Sequence, residues 1–97
     1  MVKHIILWTL KDTATKDAVK AGIKEGLEGL NGQIPGLLEI HVITKPLESS
    51  NCDVMLDATF ENEAALLEYA HHPAHVAVAD CRVRPYTASR TCMDYEV

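Results

Sequence analysis

Two periodicities take turns along this chain. From Val2 to Leu10 the residues are β-branched, aromatic or aliphatic, with Val2, His4, Ile6, Trp8 and Leu10 on one face of a two-residue repeat and Lys3, Ile5, Leu7 and Thr9 on the other. Both faces being mostly apolar, the pattern predicts a strand covered on both sides. Between Thr15 and about Asn31 the spacing becomes helical: Val19, Ile23, Leu27 and Leu30 form a stripe, and Lys16, Asp17, Lys20, Lys24, Glu25 and Glu28 fill the remaining surface. Thr13 or Thr15 is placed to cap the start, and Gly32 to stop the end. Gly22, Gly26 and Gly29 recur inside this helix, each costing about 1 kcal/mol against alanine. Their spacing suits a stripe of close packing or room for a ligand, and both readings stand.

Ile34-Pro35-Gly36 is a turn signal, and Leu37 to Thr44 reads as a second strand with Leu38, Ile40 and Val42 on one face. Lys45 to Asn51, with Pro46 and two serines, is an exposed connection. A third strand runs from about Cys52 to Phe60, with Val54, Leu56, Ala58 and Phe60 inward and Asp53, Asp57 and Thr59 on the other side. Asn62 caps a second helix through Ala70, which His71-His72-Pro73 interrupts. Pro73 suits a first helical position, so a helix restarts there and reaches Val83, with Arg82 and Arg84 near its end. Ala88 to Val97 closes as a fourth strand. The order β-α-β-β-α-β predicts an α+β, ferredoxin-like single domain over residues 1–97, a four-stranded antiparallel sheet with helices on one face. The opposite sheet face collects Ile5, Leu7, Met55 and Met93. Such a patch on a small domain predicts a homodimer formed through that face.

Composition narrows the partners. Acidic residues outnumber basic ones by 14 to 9, for a formal charge of −5, and no Lys/Arg cluster breaks the pattern. That speaks against nucleic acid and against anionic lipid, both of which require a basic face. Three cysteines without C-x-x-C spacing are neither a disulfide framework nor a zinc-thiolate pattern. With no signal-like or membrane-length apolar run, the reading is a cytoplasmic protein.

Five landmarks lie in order along the chain: Lys3-His4-Ile5-Ile6-Leu7, Ile34-Pro35-Gly36, Thr59-Phe60-Glu61, His72-Pro73-Ala74-His75 and Asp94-Tyr95. Together they resemble the stress-response dimeric A/B barrel family over nearly the whole length. The resemblance implies a ferredoxin-like protomer whose sheet closes into a barrel across a homodimer. That family includes stress-induced proteins that assemble into stable oligomers, a polyketide cyclase, and many members without an assigned activity. In its cyclase-like members the strand-one histidine and the second histidine of H-P-A-H face a pocket, which correspond to His4 and His75 here. A second-helix tyrosine of those members corresponds to Tyr69, and their third-strand histidine to Val54.

The residues themselves frame the same question. His4 shares a face with Ile6 and Trp8, and His75 lies in the first turn of a helix. Apolar surroundings and the positive helix end both favour neutral imidazole, able to accept a proton near pH 7. Tyr69, across the proline break, is placed to donate to a carbonyl or enolate oxygen. The catalytic candidates are therefore His4, His75 and Tyr69, with Ile6, Trp8 and Asp94 contacting a ligand. The blander alternative is a buried cluster in which Tyr69, His4, His75 and Asp94 satisfy one another. His71, His72 and His75 invite a metal, but no acidic or thiol partner joins them at helical spacing, so no metal site is expected. The cysteines read as small core residues, and His41 as lying at a sheet face or interface.

These readings converge on a homodimer with a small apolar pocket lined by His4, Tyr69 and His75. It would bind a small apolar or aromatic carbonyl ligand and use cofactor-independent acid–base chemistry of the cyclase, isomerase or lyase kind. A structural or protective protein acting through oligomeric assembly is the alternative. A heme-associated or quinone-forming monooxygenase ranks third.

Overall fold

The computed structural model describes residues 1–97. Strand β1 spans Val2–Leu10 and is followed by helix α1, Lys16–Glu28. Strands β2, Leu37–Ile43, and β3, Val54–Phe60, come next. Helices α2, Glu63–His71, and α3, Pro73–Val78, lead through a π-turn at Ala79–Val83 and a 3-10 turn at Arg84–Tyr86 into β4, Thr87–Glu96. The sheet is ordered β2-β3-β1-β4 with every neighbour antiparallel, and the helices lie on one face. This is the ferredoxin-like arrangement that the element order predicts. No helix is long and apolar enough to cross a membrane.

Register fixes which side chains meet. His4 stands opposite Ala58 on β3 and Asp94 on β4, Ile6 opposite Leu56 and Cys92, and Trp8 opposite Val54 and Arg90. Directly paired residues share a face. The inward residues Val2, Ile6, Trp8, Leu10, Ile40, Val42, Val54, Leu56, Ala58 and Phe60 therefore join Ile23, Leu27 and Leu30 in one core. α1 is tied to β2 by polar groups as well: Glu28 Oε2 accepts from the Val42 backbone N–H at 2.9 Å, and Lys24 Nζ donates to the Val42 carbonyl at 2.8 Å.

Two glycines are explained by what lies next to them. At Gly26 an added Cβ would fall 2.7 Å from Arg82 Cδ and 2.8 Å from Val78 Cγ1, so close packing, the first of the two readings, accounts for it. Gly36 has φ +81°, and a Cβ there would lie 2.4 Å from Ala65 Cβ. The turn before β2 thus serves as the seat on which α2 begins, where the Asn62 side chain accepts from the Ala65 backbone N–H at 2.9 Å.

Some local expectations change. Leu38 does not share the inward face of Ile40 and Val42: the register slips between Leu37 and Glu39, Leu37 takes the buried position, and Leu38 is 42% exposed. Thr15 occupies the N-cap position of α1, but its side chain makes no capping bond to the helix. The third strand begins at Val54 because Asp53 turns aside to accept from the Leu10 backbone N–H at 2.8 Å. None of the cysteines is core: Cys52 is half-buried, and Cys81 and Cys92 are exposed. For Cys92 the reason is that β4 is an edge strand whose helix-facing side no helix covers.

Candidate functional site

Between the sheet and the helices lies a cavity of about 560 Å³. β1 contributes His4, Ile6 and Trp8 to its wall, β3 contributes Leu56, and α1 contributes Leu27. α2 adds Leu66, Tyr69 and Ala70, α3 adds His75, and Ala79, Val83, Arg84, Thr87 and Arg90 complete the lining. The three histidine and tyrosine candidates and both apolar contact candidates thus share one space. Asp94 lies outside it, lining an adjoining groove between α2 and β4, and reaches the cavity only through His4.

His4 is 7% exposed, and its Nδ1 is hydrogen-bonded to Asp94 Oδ1 across the β1–β4 ladder. A carboxylate can only accept here, so Nδ1 carries a proton and Nε2 is the remaining nitrogen. The ring edge meets Tyr69 at a centroid distance of 6.0 Å and Phe60 at 6.3 Å.

Tyr69 is the most enclosed polar residue, 1% exposed, with its ring 4.9 Å from Phe60 and 4.2 Å from His75. Its hydroxyl has no hydrogen-bond partner. The expected cluster of mutual satisfaction is therefore only half formed: His4 and Asp94 pair, while Tyr69 bonds to none of the others. The physical reason is the tilted stack of Tyr69 on His75, 34° between planes, which sets ring against ring instead of hydroxyl against nitrogen. Burial pushes the phenol well above its ordinary range, so it remains a donor.

The break after α2 places His75. His72 caps α3 by accepting from the Ala74 backbone N–H at 3.1 Å, Pro73 takes the first helical position, and His71 remains exposed. His75 Nδ1 donates to the Ala70 carbonyl at 3.4 Å, which leaves Nε2 as the basic nitrogen of a neutral ring. Its pKa is lowered, chiefly by burial; the Ala70 bond opposes this, and Arg84, His4 and Arg90 add to it.

The histidines of the H-H-P-x-H segment do not converge on a metal position. The group with ligand-type atoms close together is His4, Cys92 and Asp94, within 4.8 Å of one another. Cys92 Sγ lies 3.7 Å from His4 Nδ1 and 3.6 Å from Asp94 Oδ1. Burial and the neighbouring Asp94 charge raise the thiol pKa, so it stays protonated, and the His4–Asp94 hydrogen bond already engages the other two. Sequence reasoning missed Arg90 as a wall residue. The signal was available in the alternation Arg90, Cys92, Asp94, which the β4 register sets opposite Trp8, Ile6 and His4.

Residues 2–97 match the model of the Stress Responsive A/B Barrel Domain. A dimeric protein of unknown function and ferredoxin-like fold from Bacteroides fragilis is 32% identical, with a TM-score of 0.90 over 99% of this chain and 95% of that one. A dimeric ferredoxin-like protein of unknown function from Thermobifida fusca is 28% identical, with a TM-score of 0.84 over 99% of this chain and 90% of the other. A hydroxynitrile lyase from Passiflora edulis shares the fold at 17% identity, with a TM-score of 0.73 over 99% and 92% of the two chains. No protein of curated function matches.

Proposed function

Because the chain belongs to the Stress Responsive A/B Barrel Domain family, we propose that it works as a homodimer in which each protomer binds one small carbonyl compound between His4, Tyr69 and His75 and moves a proton on it without a cofactor. The observation that carries this reading is a 560 Å³ cavity walled by His4, His75 and Tyr69, the last with a buried hydroxyl that has no partner in the protein. Native structures pair their buried polar atoms, so an orphan donor beside an opening of ligand size points to an acceptor brought by a ligand.

Roles follow from the geometry. Neutral His75 takes a proton from the carbon next to the carbonyl, the electron pair moves onto the carbonyl oxygen, and Tyr69 donates a hydrogen bond to the resulting enolate. His4, held by Asp94, is the second proton carrier on the opposite wall. Reprotonation at another carbon gives isomerisation, attack on a second carbonyl gives cyclisation, and loss of a β-substituent gives elimination. A solved structure on this fold is a hydroxynitrile lyase, which makes lyase substrates a reasonable first class to screen. An assembly protein with a merely structural interior would be expected to close this space, so the cavity favours the binding reading.

The homodimer is proposed through the bare sheet face. Ile5, Leu7, Ile43, Met55 and Met93 lie there, with Met93 67% exposed, around a polar clamp in which Lys3 Nζ donates to Asp57 Oδ1 at 2.8 Å and to Thr59 Oγ1 at 3.0 Å. The dimeric relatives from Bacteroides fragilis and Thermobifida fusca support a second copy as the cover.

The test is a thermal-shift screen of small carbonyl compounds, followed by His75→Ala. The variant is expected to keep its circular dichroism and lose binding or turnover of the hit. If the substitution mainly unfolds the protein, His75 is structural and the reading falls.

A further inference from the structure

The charges around the cavity are of one sign. Arg84 and Arg90 are the only permanently charged side chains in its wall, and no Asp or Glu lines it, in a chain whose formal charge is −5. The adjoining groove is the reverse: Glu63, Asp94 and Glu96 line it, and Arg90 is its only arginine or lysine. The two guanidiniums also differ. Arg84 is paired with Asp80, whereas Arg90 forms no salt bridge and stands between the two spaces, opposite Trp8 on the sheet.

Resting on the reading of this cavity as a ligand site, we propose that its ligand is an anion: a small keto acid with an apolar or aromatic body, its carboxylate on Arg90 and its ketone oxygen beneath the Tyr69 hydroxyl. Each part of such a molecule has a counterpart on the wall. Ile6, Trp8, Leu27 and Leu56 offer an apolar bed for the body. The orphan phenol supplies the donor for the ketone. The Arg90 guanidinium, which no carboxylate of the protein engages, offers the planar fork that matches one on a ligand. Low-dielectric walls of one sign concentrate the opposite charge, so an overall acidic protein still draws an anion to this opening. A neutral ketone would leave Arg90 unused, and a cationic one would meet both guanidiniums.

The probes are 3-benzoylpropionate and its methyl ester, which share a body and a ketone and differ in charge. Binding is measured by calorimetry and by shifts of the Tyr69 and His75 ring signals in NMR. At low salt the acid should bind about tenfold tighter than the ester, as expected for a charge-assisted pair. Its advantage should shrink toward unity in about 0.5 M salt as screening shortens the reach of the charge. Arg90→Gln should abolish the advantage, weakening the acid about tenfold more than the ester. Arg84→Gln should reduce it less, because Asp80 already engages that side chain. Equal affinities in the unmodified protein, or a preference that survives Arg90→Gln, would overturn the anion proposal and leave the cavity reading standing. If neither compound moves the Tyr69 and His75 signals, both fall.

Discussion

Replacing Tyr69 by Phe isolates one oxygen atom. The phenyl ring retains its edge contact with Phe60 at 4.9 Å and its stack on His75 at 4.2 Å, so the packing of a 1%-exposed side chain is preserved. What disappears is a hydroxyl that is buried and unpaired. Leaving such a group without a partner costs about 1–3 kcal/mol, so the ligand-free variant should be more stable by at least about 1 kcal/mol. For a domain of this size that is a rise in Tm of about 4–8 °C per kcal/mol. Scans must be run at equal protomer concentration, since dimer stability depends on it. The same change removes the donor that the proposed reaction requires, so turnover of an identified substrate should fall about 10²-fold or more. The gain in stability and the loss of activity must appear together. A variant that melts below the parent would show that the hydroxyl already has an energetic partner in the free protein. The inference from an orphan donor to a ligand would then be refuted, as it would by a stabilised variant with undiminished turnover.

Other expectations are narrower. The lowered pKa of His75, caused first by burial and then by Arg84, His4 and Arg90 against the opposing Ala70 bond, means that the unfolded chain binds more protons than the folded one below the ordinary histidine value of 6.5. Stability should therefore be full above that pH and be lost as pH falls through the window beneath it; an NMR midpoint for the ring at or above 6.5 would contradict this. Gly36→Ala should cost about 2–3 kcal/mol in urea denaturation, since it combines a φ of +81° with a 2.4 Å approach to Ala65 Cβ; a neutral effect would show that the turn yields. Leu7→Asp, in the middle of the bare sheet face, should shift the sedimentation of the protein from dimer to monomer at micromolar concentration while leaving the protomer folded, and an unshifted dimer would place the interface elsewhere.

Much of the fold was legible because alternation and helical spacing seldom coincide. His4, Ile6 and Trp8 announced the inward face of β1, and Asn62 and Pro73 announced two helix starts that the structure places within a residue. The slip at Leu38 was not legible, since a bulge depends on the partner strand and two adjacent leucines fit either phase. Neither was the exposure of Cys92, which follows from β4 lying at the edge of the sheet, a fact of topology and not of composition. His4, Tyr69 and His75 could be named from sequence, and they share a cavity. Their relations could not, because whether a phenol bonds to an imidazole or stacks on it is decided by a few degrees of helix direction. Arg90 was overlooked since a lone arginine on a polar strand has no distinguishing neighbours until register sets it opposite Trp8.

The interruption between α2 and α3 acts as a phase adjuster. In an unbroken helix, at about 100° per residue, positions 69 and 75 would point about 120° apart and could not touch. Here their rings stack at a tilt with centroids 4.2 Å apart because His72 and Pro73 redirect the axis between them. The length of that hinge therefore matters as much as the residues it joins: one alanine inserted between His71 and His72 would leave every wall residue in the sequence yet uncouple phenol from imidazole. Relatives that change the length of this joint should be expected to have changed what they do, even where each of the side chains is retained.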